Sequence, residues 1–476
     1  MIKELELKVN DEWLTQRTGD PFADIGGCVI QYLLENGVTK GKDISQLIEW
    51  MTNVYVNKWG GKLNAFFLNS TITQPAFVGA RKTTETLEYF RKLLNNELPY
   101  KKGHCRVSGA ETNLFPAGRD NHILSGSGTF INFNAAHEGG LFLSKEVLIR
   151  TFFLPFGILQ LGDKIGLIYS NNDTVTKYFV EENCKKNLLN LSQNTEGVLK
   201  SEFGNPANAL FAFVDQCLKG IKKAIDFDEE TGVSKESIML NLMHFTNFGA
   251  SPEIVIYSVP SLVFDFYARC HSRLNREDWT KFTRTFYRSS KFKDAVFNET
   301  NQHWENKKES VGFDSYKTWT NPIYGSLLND KSLLRYFLKW SVKHRIRFEI
   351  IELYQNLIRN MDKKAISKIK ELADFIVVGR DADYIKKADK KLNGQKSPSE
   401  LRRYLLTLLQ ENLNQGKKDP LITLDEFVEY LFPEGSNWKE VRDLLLIATY
   451  QKIHEQNLKI EVELAEAESD FLNETE

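Results

Sequence analysis

The 476-residue sequence has few cysteines and lacks the short motifs that mark common catalytic sites. Its five cysteines occur singly, at positions 28, 105, 184, 217 and 270. An odd number without framework spacing indicates a reducing, intracellular environment rather than a disulfide-stapled fold. The sequence contains no GxxxxGK(S/T), HExxH or GxSxG motif and no HxE followed by CxxC. We therefore predict no catalytic residues and no cofactor, while a nuclease site built from dispersed carboxylates stays open.

Long apolar runs and an excess of one charge are also missing. The first residues, MIKELELKVNDEW, are charged throughout, so we expect no signal peptide. The longest apolar run is short, so we expect no transmembrane helix, and we expect a cytoplasmic location. The formal net charge of −1 excludes a global basic field. This net charge conceals an uneven distribution along the chain. Residues 331–418 contain 21 Lys/Arg and 10 Asp/Glu, whereas residues 419–476 contain 4 Lys/Arg and 15 Asp/Glu. The basic part is a candidate surface for a phosphate chain.

Periodicity predicts an α+β protein: a mixed α/β N-terminal domain with short strands and inserted loops (1–320), followed by a C-terminal helical bundle (321–476). The polar stretch 298–322 is the expected boundary. Asp20 before Pro21 predicts a helix start, as does Ser397 before Pro398. Strands are expected within 1–17 and at 63–68, 129–134, 164–169 and 253–259. Helices are expected at 43–59, 173–191, 207–225, 234–245, 333–342, 348–360, 365–378, 400–412, 424–431 and 438–456.

A glycine-rich stretch, residues 104–169, starts like a metal knuckle. His104 and Cys105 are present, but Ser108 stands where a CxxC pair needs its second cysteine. Structural zinc needs about four N/S ligands, so we predict no metal. The polar side chains in this stretch are donors suited to base edges or phosphates, and the candidates are Arg106, Arg119, Asn132 and Asn134. The alternative is a decorated surface loop on a β-layer.

A second basic segment, residues 269–293, carries eight Lys/Arg against two acids, with five interleaved aromatic residues. Such a pattern suits a nucleic-acid backbone with stacked bases. The alternative is an amphipathic helix whose aromatics belong to the core and whose cations face water. The candidate binding residues are Arg273, Arg276, Lys281, Arg284 and Arg288.

The order of these features resembles a known family. TGDPFADIG (18–26) is followed by the Cys105 position, LFPAG (114–118), FFLPFGILQLGDKIGLIYSN (152–171) and NPIYGSLLNDKSLLRYFLKW (321–340). Together they are similar to the large subunit of type I-B CRISPR–Cas surveillance complexes (Cascade), many of which carry two CxxC pairs. The resemblance spans most of the chain through diffuse motifs. The cysteine pairs are lost here, so zinc is not transferred.

The resemblance implies a non-catalytic subunit that recognises a protospacer-adjacent motif, aids strand separation and recruits a helicase-nuclease. The implied partners are guide crRNA, target double-stranded DNA, the backbone subunits and the guide-end capping subunit, without a membrane. Asn69, Gln74 and Lys82 form a second set of motif-reading candidates, and the basic bundle contributes Lys343, Arg345, Arg347, Arg402 and Arg403. A general scaffold whose charged halves serve protein docking stays open as a further alternative.

Met361 is the only methionine after Met243. Translation beginning there yields a roughly hundred-residue helical fragment, the size of a small domain, and related systems make a small subunit from this end of the message. An ordinary methionine of the core is the alternative.

Overall fold

The structure, a computed structural model, describes residues 9–123, 131–132, 138–139, 141–221, 225, 234–246, 253–417, 419–433, 437–458 and 460. It is 54% helical with small antiparallel sheets, which confirms the α+β class and the helical C-terminal region. The described residues up to 260 form one compact unit, and those from 261 onward form a second. No helix in the described part of the chain combines the length and apolarity that crossing a membrane requires.

The first unit combines helices with two main antiparallel sheets, ordered β1-β2-β5 and β6-β7-β8-β9, and a two-stranded ladder of β3 and β4. Its described helices are α1 (Asp11–Thr15), α2 (Pro21–Glu35), α3 (Ile44–Asn53), α4 (Ala80–Leu94), α5 (Lys145–Phe153), α6 (Asp173–Ser192) and α7 (Pro206–Ile221). Its described strands are β1 (Lys101–His104), β2 (Glu111–Ala117), β3 (Ile131–Asn132), β4 (Glu138–Gly139), β5 (Leu141–Ser144), β6 (Leu159–Leu161), β7 (Lys164–Ser170), β8 (Leu240–Thr246) and β9 (Glu253–Val259).

Hydrogen bonds and an ion pair connect the TGDPFADIG segment, at the start of α2, to α5. Asp20 caps α2 by accepting a hydrogen bond from the Ala23 N–H (2.7 Å), with Pro21 in the first turn, as predicted. Asp24 accepts hydrogen bonds from the Thr18 and Gly19 N–H groups and pairs with Arg150 at 2.9 Å. Arg150 is 1% exposed, and it also donates to the carbonyls of residues 13, 16 and 23. These contacts give the segment a structural role inside the first unit.

The second unit is a helical bundle with a small sheet. Its described elements are α8 (Ser261–Cys270), α9 (Arg276–Arg284), β10 (Val296–Asn298), β11 (His303–Glu305), β12 (Ser310–Val311), α10 (Phe313–Tyr316), α11 (Pro322–Leu328), α12 (Leu334–Ser341), α13 (Phe348–Leu353), α14 (Lys363–Val377), α15 (Ala382–Asn393), α16 (Pro398–Asn414) and α17 (Trp438–Glu455). Helix α17 packs against α12, α14, α15 and α16, and its buried residues run from Val441 to Ile453. The bundle is therefore built around α17.

Several predictions about local structure were wrong. Residues 11–15 are helical because Asn10 caps α1, while residues 1–8 lie outside the described chain. Residues 63–68 form turns, not a strand. The helix predicted at 234–245 is wrong from residue 240 onward, because these residues form the central strand β8. Leu240 and Leu242, two positions apart in this strand, both face the core. Strand β9 exists where predicted but is an exposed sheet edge, with Ile256 54% exposed, rather than a buried strand.

The polar stretch 298–322 is folded as part of the second unit. Strands β10, β11 and β12 form an antiparallel sheet there, and Trp304 and Tyr316 are buried. The division of function between residues 1–320 and 321–476 stays a prediction, whereas the compact units of the structure divide at residue 260.

Candidate nucleic-acid interface

In the first unit, the turns after Phe67 and the turn after β2 meet. The Asn69 N–H donates to the Arg119 carbonyl (3.4 Å), and the Gln74 side-chain amide donates to the Asn69 carbonyl (2.9 Å). The Lys82 ammonium donates to the Ile72 carbonyl at 2.5 Å. The structure thus brings four predicted residues together, although Gln74 and Lys82 each use one donor to hold the loop. Asn69 is exposed, and the Arg119 Nε is buried with no hydrogen-bond partner among the described residues.

Arg106 lies at the other end of β2. It is exposed in the turn joining β1 to β2, where His104 pairs with Glu111. Strand β2 has seven residues, so about 20 Å of extended chain separates this turn from the one at Arg119. The structure does not place these two arginines in one group. Asn132 belongs to β3 and pairs with Glu138, and only its backbone is described; Asn134 lies outside the described residues.

Hydrogen bonds hold the Cys105 turn. The Cys105 N–H donates to the Ala110 carbonyl, and the Ser144 N–H donates to the Cys105 sulfur at 3.4 Å. Burial acts to raise the pKa of this thiol, but hydrogen bonds from Ser108, Ser144 and Val107 outweigh it and shift the pKa downward. Among the residues that the structure describes, no group of three or more His, Cys, Asp or Glu is arranged to hold a metal.

The aromatics of the 269–293 segment belong to the core. Trp279, Phe282 and Phe286 are 1%, 0% and 7% exposed, and Phe282 stacks on Phe337 with 4.7 Å between ring centroids. These rings are therefore not available for stacking on bases. For them, the interpretation of the segment as an amphipathic helix whose aromatics belong to the core is right.

The cations of this segment divide into two groups. Arg284 lies over the Phe313 ring at 4.1 Å and donates to Gln302. Arg288 donates to the carbonyls of residues 285 and 287, and Lys281 pairs with Glu277 at 2.7 Å, a hydrogen bond that raises the Lys281 pKa. Arg273 and Arg276 are exposed and form no ion pair with any described residue.

A short basic stretch, residues 343–347, contacts the first turn of α9. The Arg347 N–H donates to the Asp278 carboxylate in the first turn of α9 at 2.8 Å, and Asp278 follows Arg276 by two residues. Exposure alternates along this segment: residues 343, 345 and 347 face water, and Ile346 is 1% exposed. The Arg347 guanidinium pairs with Glu349 (3.2 Å), whereas Lys343 and Arg345 have no ion pair with a described residue. We name Arg273, Arg276, Lys343 and Arg345 the cation cluster.

Arg402 and Arg403 lie elsewhere in the bundle. Both are exposed on α16, and Arg402 lies over the Phe432 ring at 5.1 Å. The turn before α16 contacts the start of α17, where Arg442 donates to the Gln395 carbonyl, while Ile346 contacts Gln451 near its end. The turn before α16 and the stretch 343–347 therefore contact α17 at points about 14 Å apart along the helix.

Helix α15 was not predicted from the sequence, although it carries four exposed lysines. Residues 386, 387, 390 and 391 are exposed lysines at i, i+1, i+4 and i+5, so they share one side of the helix, and none forms an ion pair with a described residue. The signal was present: Asp381 caps the helix, and Ile385, Ala388 and Leu392 are buried at helical spacing.

The family model for the DevT C-terminal domain matches residues 339–475, which run from α12 through α17 and beyond. The C-terminal part of the chain is thus similar to that domain. No curated protein matches the chain.

Proposed function

We propose that this chain is the non-catalytic large subunit of an RNA-guided DNA-targeting complex, a Cascade of type I-B. In this proposal it recognises the protospacer-adjacent motif, aids strand separation, contacts the crRNA, the backbone subunits and the guide-end capping subunit, and recruits a helicase-nuclease. The observation that carries the proposal is the cation cluster, because two basic segments some seventy residues apart in sequence adjoin through Arg347 and Asp278.

The match to the DevT C-terminal domain supports the proposal as well. DevT is associated in some contexts with CRISPR-linked, Cascade-like proteins. The same region contains Lys343 and Arg345 of the cation cluster and the lysine face of α15. Exposed cations on a helical region are what a subunit that follows a phosphate chain needs.

The chemistry of the cation cluster suits backbone binding rather than sequence reading. Its four side chains are exposed and unpaired among the described residues, so binding a phosphate does not require breaking an existing ion pair. Strand exchange in an R-loop is nearly balanced in free energy, so a few such contacts are enough to tip it. Sequence reading in this proposal belongs to the first unit, where Arg106, Arg119, Asn69, Asn132 and Asn134 remain the proposed donors.

The test is DNA binding by the Arg273→Ala/Arg276→Ala variant, measured by fluorescence anisotropy on a duplex across a range of salt concentrations. Loss of two phosphate contacts should weaken binding evenly across sequences and reduce the slope of log K against log salt by about 2. The matched control is Lys185→Ala/Lys219→Ala, which removes two exposed lysines already paired with Glu182 and Asp215 and should leave the slope unchanged.

Two outcomes contradict the proposal. Metal-dependent cleavage of the DNA by the purified chain, abolished by a chelator, indicates a nuclease. Binding that is unaffected by the cation-cluster variant and insensitive to salt indicates a scaffold whose charged surfaces serve protein docking.

A further inference from the structure

A pocket of about 120 Å³ lies in the first unit between the turns around Asn69 and Asn121. Its inner wall is apolar, formed by Phe67, Ile72, Phe90, Leu148 and Phe152. Phe90 and Phe152 approach to 4.5 Å between ring centroids, so the wall is largely aromatic. The pocket is somewhat smaller than the closed cavity of about 150 Å³ that holds benzene in another protein, but it is open on one side, so an aromatic ring can enter with its polar edge left in the mouth.

The mouth of the pocket is polar and has unused hydrogen-bonding capacity. Tyr89 accepts from the Asn121 amide at 3.0 Å, and its own O–H has no acceptor among the described residues. The Asp120 carboxylate is exposed and pairs with no described cation, and the Asn69 side-chain amide has no described partner. The Tyr89 hydroxyl can donate a hydrogen bond to an occupant of the pocket, the Asp120 carboxylate can accept one, and the Asn69 amide can do either.

The polar groups at the mouth of the pocket distinguish an apolar occupant from a heterocyclic base. An apolar side chain of a partner protein would fill the inner wall but would cover the Tyr89 hydroxyl and the Asp120 carboxylate without bonding them, which is unfavourable for buried polar groups. A heterocyclic base places its face against aromatic rings and its polar edge toward the mouth. The Arg119 carbonyl accepts from the Asn69 N–H at this mouth, and in the inferred site its half-buried side chain supplies the cation for the phosphate of the same nucleotide.

Resting on the proposed function, we infer that this pocket accepts one unstacked nucleobase with an exocyclic amino group, of the size and pattern of cytosine. The Asp120 carboxylate accepts from the amino group, and the Tyr89 O–H donates to the ring carbonyl. Carboxylates are the side chains that accept from the cytosine amino group in base recognition generally. Thymine presents a carbonyl oxygen at that position and is disfavoured beside a carboxylate.

The test compares three fluorescein-labelled, eleven-nucleotide single strands of deoxythymidine whose central position is deoxycytidine, deoxythymidine or abasic. The full chain should bind the deoxycytidine strand about ten-fold more tightly than the abasic strand, a factor typical of one base on an aromatic wall. The Asp120→Asn variant should lose the preference for cytosine over thymine, because an amide both donates and accepts. The control is Asp163→Asn, an exposed carboxylate at the turn between β6 and β7 of the same unit.

A second readout locates the base. A strand with 5-iododeoxycytidine at the centre should photocrosslink to Phe67, Tyr89 or Phe90, identified by mass spectrometry. Salt-dependent binding of all three strands with equal affinity, and no crosslink in the pocket, overturns the inference while leaving the proposed function in place. Absence of binding to any strand, at low salt as well, overturns both.

Discussion

At the scale of single residues, glycines 26 and 27 in α2 are explained by Arg150. A Cβ atom on Gly26 would lie 2.0 Å from the Arg150 carbonyl oxygen, and one on Gly27 would lie 3.0 Å from its guanidinium. The close approach lets Arg150 reach Asp24 and three backbone carbonyls from α5. Removing one partner of such a buried ion pair typically lowers the free energy of unfolding by about 3–5 kcal/mol. The two glycines therefore leave the space that the Asp24–Arg150 pair needs.

The Gly26→Ala substitution should therefore lower the free energy of unfolding of the first unit by about 3 kcal/mol or more, since the new methyl group meets backbone rather than a movable side chain. Gly325→Ala is the matched control, because Gly325 is also inside a helix, α11, and an added Cβ meets nothing within 4 Å. That control should stabilise by about 0.5–1 kcal/mol through helix propensity. Thermal unfolding of both variants checks the pair, and equal effects would contradict the packing explanation.

At the scale of elements, the sequence predicted helices best where a cap and a periodic apolar face coincide. Asp20 with Pro21 begins α2, and Ser397 with Pro398 begins α16, each with the side chain accepting from a backbone N–H three residues on. In these cases local physics and tertiary packing agree. The helix at 43–59 was also predicted, and Asp43 caps it, although its last turn is π-helical.

The failures came where tertiary context decides. The apolar residues of 234–245 fit both the helical spacing and the alternation of a strand. Pairing with β7 and β9 selects the strand β8. The exposure of β9 follows from its edge position in the sheet, which its own composition does not reveal. For the candidate site, sequence found the charged segments, but only the structure shows that Arg347 adjoins α9 and that Arg284 and Lys281 are already engaged.

Helix α15 carries a titrating group that ties bundle stability to pH. Asp389 is 6% exposed, and its carboxylate accepts from the Tyr450 hydroxyl at 2.8 Å. Burial raises the Asp389 pKa to about 6, above the ordinary value near 3.8. Between these values the folded state binds more protons than the unfolded state, so this group makes stability fall as pH rises from about 4 to 6, with the loss complete above 6.

The Asp389→Asn variant should remove that dependence. The amide keeps an acceptor for Tyr450 without a charge, so the variant should be more stable than the parent at pH 7 to 8, by about 1–3 kcal/mol, and similar to it near pH 4. The control is Asp383→Asn, an exposed carboxylate on the same helix. Thermal unfolding between pH 4 and 8 measures the difference, and a parallel pH profile for parent and variant would contradict a raised pKa.

At the scale of the whole molecule, the near-zero net charge conceals opposed fields. The exposed lysines of α15 and the unpaired cation cluster lie in the second unit, and the sequence places seven carboxylates and no Lys or Arg in residues 461–476. Like any summed charge distribution, these groups set the rate at which a polyanion approaches. We expect the acidic segment, which follows the basic residues 331–418 in sequence, to oppose that approach.

Replacing the seven carboxylates of 461–476 by amides changes the formal net charge from −1 to +6. If the acids oppose the field of the basic bundle, the association rate with duplex DNA should rise about ten-fold at low salt, and the gain should disappear near 0.5 M salt as the charges are screened. The control neutralises seven exposed carboxylates of the first unit and so makes the same change in net charge. Stopped-flow anisotropy should show a smaller gain for that control, because its charges are not adjacent in sequence to the bundle. Equal gains would mean that net charge alone governs the approach, and no gain in either variant would mean that the cations of the second unit do not steer DNA.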